Sequence, residues 1–100
     1  MGLGAAVLAV GGSLAMAVPA NAYVDGTYTG TNVRIRVTPY TSDNRVTGLG
    51  QPGHVARLFC YKVGTTVSGN PFWDYHTNRT TNKTGYSSET LLTPEIFTPC

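Results

Sequence analysis

Charge is scarce in this chain. Lysine, arginine, aspartate and glutamate make up 12% of its 100 residues, and none of them falls within residues 1–22. Seven basic against five acidic residues leave a net charge of +2. That is too little for strong nucleic-acid binding, where several clustered phosphate contacts carry the affinity. It suits no more than weak attraction to an anionic wall or membrane surface. Histidine and cysteine number two each, and their spacing forms no three- or four-ligand zinc pattern. No glycine-rich loop leads into a helix, so no phosphate cradle is expected. Beyond residue 22 alanine occurs only as Ala56, and no window carries helical periodicity or heptads, which argues against a helical fold. Setting residues 1–22 aside leaves 78 residues, enough for one domain that buries roughly 60% of its unfolded surface. A Rossmann domain, a barrel of alternating strands and helices, and a two-domain enzyme are all excluded.

What is present divides in two. Residues 1–22 hold 15 hydrophobic residues, whereas all ten aromatics, both cysteines and every charge lie beyond them. The apolar stretch Leu3–Val18 would extend about 24 Å as a helix at ~1.5 Å per residue, short of the ~30 Å hydrocarbon core. Gly11-Gly12 weakens it as an anchor, Pro19 ends it, and Ala20-Asn21-Ala22 supplies the small side chains a signal peptidase reads. Residues 1–22 therefore read as a secretory signal peptide cleaved before Tyr23, although the usual preceding Lys or Arg is missing; a retained anchor is the competing reading. The mature chain is expected outside the cell or on its wall, with no stable membrane insertion. An exported chain meets an oxidising environment. A Cys60–Cys100 bridge would close a loop of about 40 residues and contribute roughly 4 kcal/mol by chain entropy. It would also pin the tail at residues 93–100. The alternative, a free catalytic Cys60, sits in the apolar run Leu58-Phe59-Cys60-Tyr61, where a thiol is inert rather than activated.

Threonine is abundant and Gly and Pro recur every several residues, which points to an all-β fold. Val33, Ile35 and Val37 alternate with Arg34 and Arg36, the period of a strand with one buried face. A polar connection at residues 38–45 leads to a second strand at Val46–Leu49, ended by the turn Gly50-Gln51-Pro52-Gly53. His54–Tyr61 reads as the third strand, with Ala56, Leu58 and Cys60 on one face and Val55, Arg57, Phe59 and Tyr61 on the other. A loop is expected over Lys62–Pro71, a fourth strand over Phe72–Thr77, a polar tip over Asn78–Lys83 and a fifth strand over Thr84–Ser87. Ser88–Leu92 suits a single 3₁₀ turn that tucks Leu91 and Leu92 inward. Residues 23–30 are expected to be a flexible lead-in. Five short strands at this spacing make a small barrel or sandwich.

The order and spacing of these stretches resemble a bacterial SH3-like (SH3b) domain. Asn32-Val33-Arg34-Ile35-Arg36, Val46-Thr47-Gly48-Leu49 and Pro52-Gly53-His54-Val55-Ala56-Arg57-Leu58-Phe59-Cys60 are similar to the family's opening. Gly69-Asn70-Pro71-Phe72-Trp73-Asp74-Tyr75 and Thr84-Gly85-Tyr86-Ser87 continue the likeness, which covers residues 31–92. The chain departs from the family in Ile35-Arg36-Val37-Thr38 before Pro39, and in Ser87 after Gly-Tyr. A cysteine on the central strand with another at the carboxyl end is similar to small exported actinobacterial proteins. The resemblance implies a small SH3-like barrel and a non-catalytic module that holds peptidoglycan, typically its peptide part, or another envelope component.

Tyr40, Tyr61, Phe72, Trp73, Tyr75 and Tyr86 form the candidate ligand surface, since aromatic faces offer large contact area at low rotamer cost. Arg34 and Arg36 point outward and suit bidentate contact with a carboxylate. The ligand-binding set is thus Arg34, Arg36, Tyr40, Trp73, Tyr75 and Tyr86. Against that, Trp73 and Tyr86 more often belong to the core in such a fold, and outward arginines more often face only solvent. Asp74 and His76, two apart on one strand, are the sole suggestive acid–base pair, and nothing accompanies them as a nucleophile. No enzymatic activity, cofactor or metal is expected, and the chain reads as a monomer. A small secreted factor that binds a protein through the loop Lys62–Pro71 is the alternative. Asn78-Arg79-Thr80 and Asn82-Lys83-Thr84 match glycosylation triplets on a loop tip, relevant only to a eukaryotic secretory route.

Overall fold

The computed structural model describes residues 22–100; the expected signal peptide lies outside the described residues, Ala22 apart. Seven strands follow in order: β1 (Val24–Tyr28), β2 (Val33–Arg36), β3 (Val46–Gly50), β4 (Val55–Val67), β5 (Asn70–Asn78), β6 (Lys83–Ser88) and β7 (Leu92–Thr93), with a 3₁₀ turn at Glu89–Leu91 between the last two. They form one antiparallel sheet in the order β3-β2-β6-β5-β4-β1-β7, curled into a half-barrel. The all-β expectation holds, with seven strands in place of five.

The inner face follows from alternation. Val33 and Ile35 of β2, Ala56 and Leu58 of β4, Tyr28 at the end of β1 and Leu92 of β7 are buried together, joined by Ile96 from the tail. Burying a side chain such as Leu58 contributes about 1.5–3 kcal/mol. The ring of Tyr28 lies over Gly50, so β1 meets β3 across the barrel where a larger residue at 50 would hold them apart.

Three corrections concern the elements. Residues 23–30 are not a loose lead-in: β1 lies antiparallel on β4, with Val24 opposite Leu58 and Thr27 opposite Val55, and β7 pairs with its other edge. Only Tyr28 of β1 is buried, so the strand has little hydrophobic alternation and is held by its partners' backbone. The loop expected at Lys62–Pro71 is instead the far part of a long hairpin. Ser68 and Gly69 both have positive φ, 50° and 81°, the conformation of a two-residue turn whose twist matches the flanking strands. The third correction is a bulge near Phe59 and Cys60, where the register shifts between Leu58 and Cys60. Tyr61 thereby moves to the face of Leu58, opposite Asp74.

Cys60 and Cys100 form a disulfide with their Cα atoms 4.8 Å apart. Backbone bonds extend the staple: Tyr61 N donates to Thr98 O at 2.8 Å and Cys100 N to Tyr61 O at 2.9 Å. Leu92, which follows the 3₁₀ turn as the first residue of β7, is buried as expected, whereas Leu91 in the turn is directed outward and exposed. Ser88 caps the turn, its Oγ accepting from Thr90 N at 3.3 Å. Among the described residues no helix is long and apolar enough to cross a membrane.

Candidate functional site

On the outer face, register builds an aromatic row. Tyr75 of β5 lies opposite Tyr86 of β6, and Tyr86 opposite Arg36 of β2. The rings of Tyr75 and Tyr86 are 5.1 Å apart and those of Phe59 and Tyr75 are 6.2 Å apart, within the range of favourable aromatic pairs. Two pairs further along, on the same face, Trp73 lies opposite Ser88. Arg34, two residues before Arg36 on the same face of β2, reaches the same level.

The far end of the β4–β5 hairpin folds over this face. Thr65 N donates to Pro39 O at 3.1 Å, Thr41 N to Thr65 Oγ1 at 3.2 Å, and Trp73 Nε1 to Thr65 O at 2.8 Å. Three bonds thus pin one threonine against the β2–β3 connection and the indole. The approach needs Gly64, because a Cβ there would overlap the carbonyl of Pro39. Two recesses open on this side of the sheet. The larger, about 520 Å³, is lined by Arg34, Arg36, Leu49, Val67, Trp73 and Leu91, with hydroxyls from Thr31, Thr41 and Ser88. The smaller, about 310 Å³, lies among Pro39, Tyr40, Lys62, Val63 and Tyr86.

All six residues of the expected ligand set reach this side of the sheet, in different roles. Arg34 is exposed and Arg36 half-buried. Arg36 donates through Nη1 to Asp43 O at 2.8 Å, while Arg34 has no ion pair or side-chain hydrogen bond among the described residues. Trp73 is only 2% exposed, which corrects its expected role: with its N–H spent on Thr65, it is the floor of the larger recess and not a free stacking surface. Tyr40 is exposed and Tyr86 half-buried, both in the smaller recess, and Tyr75 stands exposed beside Tyr86. Tyr61 and Phe72 instead pack edge-to-face at 5.0 Å on the face shared with Leu58 and Asp74, and leave the candidate surface. Sequence reading missed Thr65 and the apolar walls Leu49, Val67 and Leu91, because only the folded hairpin brings them together.

Asp74 and His76 point into the barrel, both fully buried. His76 Nδ1 is 3.0 Å from Asp74 O, a carbonyl that can only accept. Nδ1 therefore carries the proton and Nε2 accepts from the Tyr28 hydroxyl, also at 3.0 Å. Burial pushes the His76 pKa down and that of Tyr28 up. Asn78 continues the network, with Nδ2 3.0 Å from His54 Nδ1 and Oδ1 accepting from Thr80 N and Thr81 N. Its amide is thus engaged inside the fold, and the first glycosylation triplet is not free at a loop tip. Neither oxygen of Asp74 meets a donor. Burial first, then the neighbouring Glu89 and Glu95, push its carboxyl up to about 8, so the acid is neutral near pH 7. Both ends of the Asp74/His76 pair are shut away from either recess. Among the described residues no cluster of His, Cys, Asp and Glu could hold a metal ion.

The fold and this face define a small, disulfide-closed, all-β half-barrel with a cationic recess. No family model, curated protein or solved structure matches the chain.

Proposed function

We propose that the protein is a secreted, non-catalytic binding module that recognises a cell-envelope ligand, the peptide part of peptidoglycan above all, on its outer face, as its resemblance to SH3b domains implies. The observation that carries the reading is the larger recess, where a guanidinium with no partner among the described residues stands beside a second one over apolar walls. A cation that no neighbouring group engages is free to make charge-assisted hydrogen bonds to a ligand's anion. The disulfide is compatible with the oxidising environment outside the cell. Co-sedimentation with purified peptidoglycan tests the reading. Retention above a control protein of equal charge, reduced by the double change Arg34→Gln and Arg36→Gln, is the expected outcome; equal recovery of protein and control in the supernatant would refute it.

A second reading, a secreted factor that binds another protein, gains from a different observation. Phe97 is 78% exposed at a cleft it shares with Tyr23, Val24 and Phe59. The contact would lie there and not at Lys62–Pro71, whose hairpin is folded onto its own sheet. Phe97→Ser abolishing a protein complex while leaving peptidoglycan retention unchanged would favour this reading.

A further inference from the structure

We infer that the larger recess recognises a carboxylate carried on a short apolar peptide, with Arg34 and Arg36 on the anion and Leu49, Val67 and Leu91 around the adjoining side chain. The inference rests on the envelope-binding reading and narrows it to one chemical group.

The lining supplies the reasons. Its only charged members are Arg34 and Arg36, and no carboxylate of the protein enters it. Asp43, whose backbone O holds Arg36, has its own carboxylate spent on Arg45, with Arg45 Nη2 2.8 Å from Asp43 Oδ2. Arg36 is fixed through one nitrogen on Asp43 O, which leaves its remaining donors for the recess. Residues two apart on one strand face lie about 6.6 Å apart along it, a separation at which two guanidinium groups can converge on one planar carboxylate. The rest of the wall is apolar or hydroxylic: Leu49 and Leu91 are among the exposed large hydrophobics, and Thr31, Thr41 and Ser88 add hydroxyls. A polyanion such as a phosphodiester polymer would have to carry further charges past those leucines and would find no third cation in the lining. A volume of about 520 Å³ fits a dipeptide-sized ligand, at the small end of ordinary ligand cavities.

The test is an NMR titration of the ¹⁵N-labelled protein, read at the arginine Nε–H and Trp73 Nε1–H signals. Four probes are compared: N-acetyl-Ala-Ala as its free acid, the same dipeptide as its carboxamide, N-acetyl-glutamate amide and inorganic phosphate. The free acid is expected to shift these signals and to bind at least tenfold tighter than the carboxamide. Arg34→Gln, a change at an exposed side chain, is expected to lower the free-acid affinity about tenfold without altering the rest of the spectrum. The glutamate probe distinguishes the sources: binding as tight as the dipeptide acid assigns the recess to a side-chain carboxylate, and weaker binding assigns it to a chain terminus. Carboxamide binding equal to the acid, phosphate binding as tight as the acid, or an unchanged affinity in Arg34→Gln would overturn the inference. If the protein still sediments with peptidoglycan in that event, the envelope reading survives without the carboxylate; if it does not, both fall.

Discussion

Arg34 and Arg36 look alike in sequence but differ in what they can give up. Arg34 has no partner among the described residues, so Arg34→Gln is expected to reduce ligand retention while the melting temperature stays within about 1 °C of the parent. Arg36 holds Asp43 O, so Arg36→Gln is expected to lose ligand and also about 1 kcal/mol of stability, measurable by urea denaturation. Asp74 is a pH-dependent liability of the fold. Its carboxyl, raised from an ordinary 3.8 to about 8, binds a proton in the folded state that the unfolded chain has released, so stability falls as pH rises from about 4 to 8. His76, with its pKa lowered, acts in the opposite sense: the unfolded chain gains the proton first, and stability falls as pH drops below about 6.5. Between pH 6.5 and 8 the Asp74 effect stands alone. Urea denaturation of the parent should show declining stability across that window, and Asp74→Asn should flatten the decline and add on the order of a few kcal/mol at pH 8. A parent curve that rises through the window would contradict the buried neutral acid. At this scale the sequence was legible where side chains alternate within β2: Val33 and Ile35 went inward and Arg34 and Arg36 outward, whereas Val37, expected on the buried face, lies past the strand end and is exposed. It was not legible at Asp74, His76 and Asn78, because polar residues at strand period read as a wet face until the sheet curls over them.

The β4–β5 hairpin is the element on which the site depends. Gly64 permits the close approach of its far end to Pro39, and Thr65 makes the three bonds that hold that end against Pro39, Thr41 and Trp73. Gly64→Ala must push that end away or shift the Pro39 backbone, a strain of about 1–3 kcal/mol. It is expected to weaken ligand binding even though no ligand contact changes, and loss of the Trp73 Nε1–H protection against hydrogen exchange would report the opened strap. Gly64, Ser68-Gly69 and Asn70-Pro71 together read as a loop because each is ordinarily a turn signal. Here Ser68-Gly69 alone makes the turn, Asn70-Pro71 opens β5, and Gly64 lies within β4 at the irregular register between Val63 and Val67. The same reasoning explains the missed β1, whose residues carry almost no buried apolar surface and pair through backbone groups that no side-chain pattern announces. The cysteines, by contrast, were fully legible: two in a small chain read as exported leave one pairing. Replacing both with serine removes a cross-link over a sequence separation of 40 residues. The expected loss is roughly 3–4 kcal/mol, read as a lower urea midpoint and as early hydrogen exchange at Tyr61 and Cys100.

For the molecule as a whole, a half-barrel with its core on one face leaves the other face to be organised by what folds over it. The core is small, which makes the covalent staple a large share of the net stability. The net charge of +2 gives little long-range attraction, so ligand affinity should depend on local contacts and fall only moderately with salt. The most direct measurement is chemical-shift mapping of the labelled protein during titration with soluble peptidoglycan fragments. The account predicts that shifted amides cluster at Arg34, Arg36, Thr41, Leu49, Trp73 and Leu91, around the larger recess. Shifts gathered instead at Tyr23, Val24 and Phe97, or none at saturating fragment, would contradict it.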